Sequence, residues 1–300
     1  MYYRDLNLRQ IRDDCDLDFA HFTYQRGMCS CCYGPKDLPK RYWKNEKIPE
    51  GDDYEFILFK NADNGSGCVT KNNKIEDHTY IEWSLSDEKL QKVCQMLQEQ
   101  LGEKYKVIVP EDECSCIVIR DYEKFKEEEK IKKIKNDFGY KYYGCIEIKN
   151  GIYFSDPCYD ENVWCIHKST DIKPGTYWCF VKHASNEETG GWGQRVGEIA
   201  IFNADENIVV PDKIIANVGV DSGMCGFYDA DYYLSTRNKE LWYEDICYLV
   251  PPGDGHVHDG KCFISSTGYG DGMYSVIAGY NGDEMTSAII RYLTEEDFED

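Results

Sequence analysis

"YGCIEIKNGIYFSDP" (143–157) places Asn150-Gly151 between two runs in which apolar residues recur at every second position: Ile146 and Ile148 before the pair, Ile152 and Phe154 after it. Period two is the signature of a strand with one buried face. Asn-Gly tolerates the positive φ values of a tight turn, so the segment predicts a β-hairpin. The pattern continues through "GTYWCFVKH" (175–183), "RVGEIAIFNA" (195–204), "DICYLV" (245–250), "KCFISS" (261–266) and "MYSVIAGYNGDEMTSAIIRYL" (273–293). Short strands separated by Gly and Asn, with no long amphipathic helix among them, predict an antiparallel β-sandwich or barrel-like domain over 140–300.

Upstream the pattern is mixed. "DYEFILFKNA" (53–62) and "HTYIEWSL" (78–85) have β character. "SDEKLQKVCQMLQEQLG" (86–102) is a helix, with Ser86 placed to cap it and Asp87 and Glu88 favouring its dipole. Leu90, Val93, Cys94, Leu97 and Leu101 form its apolar stripe, and Gly102 stops it. "YKVIV" (105–109) and "CIVIR" (116–120) follow as strands. The expected fold class is therefore α+β: an N-terminal α+β domain at 1–120, a charged helical connector at 121–139, and the acidic β-rich domain at 140–300. The connector, "DYEKFKEEEKIKKIKND" (121–137), has Glu128–Lys132 and Glu129–Lys133 spaced for ion pairs. Its thin apolar face of Phe125, Ile131 and Ile134 fits either an arm between domains or a surface helix packed on one of them.

The chain of 300 residues carries a net charge of −21, and its distribution is uneven. Residues 138–300 hold 11 basic and 27 acidic side chains, a net of −16. Such a surface repels the phosphate backbone, so nucleic acid is not expected as a direct partner; a basic protein surface, such as a DNA-binding groove, is. Ordinary solubility charge explains the same numbers. No apolar run reaches the ~18 residues of a membrane span, and the first residues lack a signal-like apolar core, so a cytoplasmic protein is expected. The 15 cysteines are an odd number in a large chain, which predicts reduced thiols. Cys94, Cys179 and Cys247, in apolar runs, are expected to be buried.

Several constellations offer chemistry. Cys29, Cys31 and Cys32, with Cys114, Cys116 and His21, are zinc-ligand types at poor spacing for a knuckle. In "DGHVHDG" (254–260), His256 and His258 share one side of an extended segment, with Asp254 and Asp259 beside them, and Asp221 is a further acidic candidate for a metal. Cys158 in "SDPCY" is a candidate nucleophile if His167 or His183 lies near enough to lower its pKa. "GVDSGMCGFYDADYY" (219–233) and "STGYGDGMYSV" (266–276) scatter Asp221, Asp229, Asp231 and Asp271 among glycines. They lack the order of a calcium loop or any phosphate-binding or hydrolase fingerprint. Asp side chains there are expected to bond local backbone N–H groups. Asp156, Pro157, Cys158, Asp221, Gly223, Gly226, Gly270, Asp271 and Gly272 thus read as structural corners, with no catalytic residue and no cofactor expected. Two rivals stay open: a metal- or cysteine-dependent hydrolase on the same loops, and a nucleotide-signal binder using Lys36, Lys40 and Arg41.

"YFSDPCY" (153–159), "PGTYWCFV" (174–181), "VGVDSGMCGFYD" (218–229) and "STGYGDGMYSV" together resemble a β-rich domain shared by bacterial and bacteriophage proteins and of unassigned chemistry. "CYGPKDLPKRYWKN" (32–45) and "FILFKNADNGSG" (56–67) resemble an N-terminal domain of phage genomes. In size, two-domain outline and acidity the chain is similar to the phage inhibitors of the Gabija defence system. That resemblance implies a non-enzymatic, homo-oligomeric protein of the host cytoplasm that encloses the Gabija nuclease complex and blocks its DNA binding or cleavage. It carries no contact residues with it.

Overall fold

The computed structural model describes residues 6–7, 10–11, 14–15, 18–22, 54–55, 57–60, 70–71, 79–82, 87–109, 116–184, 193–236 and 240–293. The chain divides into two compact units, Met1–Glu128 and Glu129–Asp300. The fold is α+β with a β-rich C-terminal region, as expected.

In the first unit the strands are β1 (Asp18–Phe22), β2 (Tyr54–Glu55), β3 (Ile57–Lys60), β4 (Thr70–Lys71), β5 (Thr79–Glu82), β6 (Tyr105–Ile108) and β7 (Cys116–Asp121). β1 pairs with β3 and β2 with β4, while β5, β7 and β6 form a three-stranded sheet in that order. The helix Asp87–Leu101 turns the expected stripe inward. Val93, Leu97 and Leu101 are buried against Tyr105, Ile117 and Ile119, with Leu90 and Cys94 at the margin. Gly102, at φ +69°, ends the helix in a conformation that costs other residues about 1–2 kcal/mol. Leu6, Ile11 and Cys15 complete this core.

The helix Tyr122–Phe138 spans the boundary between the units. Near its start Asp121 accepts from the backbone N–H of Lys124 at 3.4 Å, and Arg120 pairs with Glu128 at 2.8 Å. Its acidic side chains therefore pair differently from the expected spacing: Glu128 turns back to Arg120, and Glu129 meets Lys132 at 3.8 Å. In its second half Ile131, Ile134 and Phe138 pack on Trp178, Phe180, Ala200 and Phe202. Lys130 donates to the carbonyls of Ala204 and Glu206, both at 3.1 Å. That half is a surface helix of the second unit.

The second unit contains β8 (Lys141–Ile148), β9 (Ile152–Ser155), β10 (His167–Ser169), β11 (Gly175–Ala184), β12 (Arg195–Asn203), β13 (Lys213–Val220), β14 (Met224–Asp229), β15 (Gly255–His258), β16 (Cys262–Ser266), β17 (Gly272–Asn281) and β18 (Glu284–Arg291). They form two antiparallel sheets, a six-stranded one in the order β13-β17-β18-β12-β11-β8 and a five-stranded one in the order β10-β9-β14-β16-β15. Gly282-Asp283 joins β17 and β18 in a true hairpin, with Asn281 paired to Glu284.

Asn150-Gly151 does something else. β8 pairs with β11, whereas β9 pairs with β10 and β14, so the turn carries the chain from one sheet to the other and makes no hairpin. The reason lies in what holds the turn. Asp229, which is 2% exposed, accepts from the backbone N–H of Lys149 at 2.8 Å. The N–H of Ala230 donates to the Gly151 carbonyl at 3.0 Å, and Asn150 donates to Asp231 at 2.7 Å. Gly151 sits at φ +132° with its α-carbon so close to β10 that a Cβ would lie 2.8 Å from the Ser169 carbonyl. The turn is thus captured by the end of β14 rather than closing on itself.

The two sheets face each other across a core that includes Ile148, Phe154, Tyr177, Cys179, Ile201, Phe227, Phe263, Val276 and Ile290. Phe227 stacks with Phe263 at 6.4 Å and meets Phe154 edge-on at 5.6 Å. Each such ring contributes about 1.5–3 kcal/mol by burial. The alternate residues of both sheets are apolar as well, so the outer faces are also covered. Ile131 and Ile134 cover the six-stranded sheet. Tyr233, Trp242, Ile246 and Val250 cover the five-stranded sheet over Tyr153, Tyr228, Cys262 and Ile264. The second unit is therefore a sandwich with helices on both outsides.

The cover formed by Trp242, Ile246 and Val250 differs from the expected strand. "DICYLV" is not a strand but the end of the helix Glu240–Leu249, which follows a shorter helix, Ala230–Thr236. Trp242, Ile246 and Val250 recur at four-residue spacing and are buried, a helical period that the short apolar run concealed. Cys247, between them, is exposed. Cys179 is buried as expected and Cys94 partly so; all nine described cysteines are free thiols.

Candidate functional site

The glycine-rich segments converge on one corner of the second unit. Asp156, with no exposed surface, follows the strand β9 and turns its carboxylate into the neighbouring loop. One oxygen accepts from the backbone N–H of Asp221 and Ser222 at 2.8 and 2.7 Å. The other accepts from the Ser222 hydroxyl and the Cys158 N–H, both at 2.7 Å. Four donors on one buried carboxylate lock "SDPCY" to "DSG". Asp229 does the equivalent at the far end of β14, accepting from Lys149 and from the Tyr232 N–H at 3.1 Å, where it caps the following helix.

The lookalike loop joins the same corner. The N–H of Thr267 donates to the Gly223 carbonyl at 2.9 Å, while the Thr267 and Tyr274 hydroxyls both donate to the Gly270 carbonyl at 2.6 Å. Gly223 (φ +69°) and Gly270 (φ +104°) need their left-handed backbones, and a Cβ on Gly223 would lie 3.9 Å from the Gly270 α-carbon. Gly272 begins β17 opposite Val220. Asp221 and Asp271 are exposed, in contrast with the buried Asp156 and Asp229. The buried Asp156 and Asp229 thus serve backbone donors, and the exposed Asp221 and Asp271 lie at the surface of the corner.

Cys158 borders this corner and is exposed. Its thiol is pushed up to about 12, first by desolvation and then by Asp156 and Asp221. At neutral pH it is a thiol and not a thiolate. His167 sits 5.7 Å from the Phe154 ring and His183 bonds the Gly253 carbonyl at 3.1 Å, and neither is among the groups that shift the Cys158 thiol.

Asp254 is separated in function from the two histidines that follow it. Tyr143 donates to it, Lys141 pairs with it at 3.3 Å, and His183 stands 3.4 Å away. It ties β8 and β11 to the turn before β15, closing one side of the sandwich. This grouping has no local signal, because Lys141, Tyr143, His183 and Asp254 come from three separate segments. His256 and His258 do share one side of β15, with ring centres 6.0 Å apart. Among the described residues, no three His, Cys, Asp or Glu side chains gather into a ready-made metal site. The candidate ligands Cys29, Cys31, Cys32 and Cys114, the side chains of His21 and Cys116, and the cations Lys36, Lys40 and Arg41 lie outside the described residues.

Two half-buried histidines, His167 and His183, make stability depend on pH. Burial lowers the pKa of His167, against an opposing effect of Asp171. Burial also lowers that of His183, against its bond to the Gly253 carbonyl and with help from Lys141. The unfolded chain, with histidines near ~6.5, binds protons that the folded chain refuses. Stability is therefore full above about pH 6.5 and falls as the pH drops below it. Urea midpoints at pH 7.5 and 5.5 test this: the lower pH should give the lower midpoint, and His167→Gln should narrow the difference. A midpoint that rises at pH 5.5 would contradict it.

The largest exposed apolar side chains were not foreseen. Among the described residues the three most exposed are Tyr248 at 90%, Trp164 at 85% and Leu241 at 74%. Leu241 and Tyr248 are two helical turns apart on the helix Glu240–Leu249, whose opposite side holds Trp242 and Ile246 on the five-stranded sheet. Trp164 lies on the 156–166 segment, which packs Ile166 on the same layer. Exposed acids accompany them: Glu244 and Asp245 on the helix, Asp160 and Glu161 on the segment. No helix of the described residues is long and apolar enough to cross a membrane.

No protein-family model, curated protein or solved structure matches the chain.

Proposed function

We propose that the chain is a non-catalytic interaction protein whose second unit docks, through the layer of Trp164, Leu241 and Tyr248, on a basic surface of a partner protein. The observation that carries this reading is that the three most exposed apolar side chains among the described residues lie on a helix and a segment that both pack on the five-stranded sheet, with exposed acids beside them in the chain. Trp and Tyr are enriched among the residues that anchor protein interfaces. The acids around them steer a basic partner and repel nucleic acid. The buried acids of the glycine-rich corner hold the fold, and the Cys158 thiol remains protonated, which supports an architectural role for these motifs.

The resemblance in outline to the Gabija inhibitors supplies the partner in this proposal: a bacterial defence nuclease complex, whose DNA-binding groove has the required basic character. The protein, as a homo-oligomer, occupies that groove and blocks DNA binding or cleavage. The double variant Trp164→Ala/Tyr248→Ser tests the surface against purified Gabija nuclease complex in an immobilised-partner binding assay. Loss of two anchor side chains should weaken binding on the order of 100-fold or more. Ile214→Ser, at an exposed position on β13, should leave it within about threefold. Equal weakening by both variants would defeat the assignment of this surface.

A further inference from the structure

We propose that His256 and His258 chelate one divalent transition-metal ion, with Asp259 orienting His258 and water completing the coordination. The inference is independent of the partner. β15 is the outermost strand of its sheet, and Val257 turns inward to the core between the sheets, leaving both histidines on the other side. Strand geometry alone keeps the two rings on that side, with no loop to order.

The spacing fits a shared ion. A ring nitrogen is about 1.1 Å from its ring centre and about 2.1 Å from a bound ion, so two rings can share an ion when their centres are up to about 6.4 Å apart. The observed separation is 6.0 Å, within that limit, and a small rotation of either ring narrows the angle at the metal towards tetrahedral.

The surroundings of His258 resemble those of a metal ligand. Its Nε2 stands 3.4 Å from a carboxylate oxygen of Asp259, which leaves Nδ1 as the ligating nitrogen. The carboxylate is itself held: the Tyr232 hydroxyl donates to the same oxygen at 3.2 Å, and Trp242 Nε1 donates to the Tyr232 oxygen at 3.0 Å. A carboxylate behind a ligating histidine, fixed in turn by a hydrogen bond, sets the ring's tautomer and raises its basicity. Asp259 is the one described non-glycine residue with positive φ (53°), and with Gly260 (61°) it forms the tight turn into β16. That turn brings its carboxylate back towards His258. Imidazole pairs suit zinc, nickel, cobalt and copper, and two protein ligands leave positions open to solvent.

Cobalt(II) titrated into the full chain, labelled for histidine ring resonances, is the test. The expected result is one site whose filling broadens the His256 and His258 signals first. His256→Gln/His258→Gln should abolish that site without changing the melting temperature in the absence of metal. Asp259→Asn should retain it at roughly tenfold lower affinity, the lower end of what losing such a carboxylate costs. Broadening that starts at other histidines, no broadening at millimolar cobalt, or undiminished binding by the double glutamine variant would overturn the proposal. Undiminished affinity in Asp259→Asn would overturn the role given to that residue.

Discussion

Asp156→Ala is expected to destabilise the second unit by about 3–5 kcal/mol, which places it among the most damaging single substitutions. The carboxylate is fully buried and accepts from three backbone N–H groups and one hydroxyl. Alanine removes the acceptor and leaves those donors in a site where no other partner is supplied; each unsatisfied donor costs about 1–3 kcal/mol, less whatever solvent reaches the edge of the loop. Asp156→Asn keeps the shape and one good acceptor oxygen, so about half of the loss is expected. Urea unfolding followed by tryptophan fluorescence measures both. A loss of under about 1 kcal/mol for alanine would mean that the corner is held by something other than this carboxylate.

Gly226→Ala should be comparably severe, for a different reason. Gly226 lies opposite Ile264 in the middle of the five-stranded sheet. A Cβ there would stand 2.5 Å from the Phe263 carbonyl oxygen and 2.9–3.0 Å from atoms of Ile264. Two of these contacts are backbone, so relief requires separating β14 from β16, and the expected cost is about 3 kcal/mol or more. Gly282→Ala is the informative contrast. Its backbone is left-handed at φ +63° and the space around it is open, so only the conformational strain of about 1–2 kcal/mol is incurred. If the two variants proved equally stable, packing between β14 and β16 would be looser than the distances require.

The sequence showed where most strands would form, because period-two alternation is local. It did not show which strands pair. Asn150-Gly151 carries the strongest hairpin signal in the chain, yet its neighbours go to different sheets. The deciding contacts come from Asp229, Ala230 and Asp231, some 80 residues away. The helix at 240–249 was hidden for a related reason. Six consecutive residues with an apolar majority suit a buried strand or a helix equally, and only the burial of Trp242, Ile246 and Val250 at four-residue spacing separates the two.

At the corner, glycines able to take positive φ and short acids able to bond backbone N–H groups are local features that a sequence can display. What could not be read was the division of labour among the acids. Asp156 and Asp229 are inside and Asp221 and Asp271 outside, a distinction set by the packing of the sheets. Grouping Asp254 with His256 and His258 followed chain proximity. The fold instead gives Asp254 to Lys141, Tyr143 and His183, and leaves Asp259 with the histidine pair. The exposed Trp164, Leu241 and Tyr248 carry no sequence signal at all, since a large apolar residue in a turn or on a helix is ordinarily assigned to the core.

The interaction reading is tested most directly by adding the purified full chain to a purified Gabija nuclease complex, then following both DNA cleavage and the mass of the assembly. The account predicts a stable, stoichiometric complex in which cleavage is lost, with both effects weakened by Trp164→Ala/Tyr248→Ser. A nuclease that cleaves at its full rate, with the chain eluting apart from it, would contradict the account.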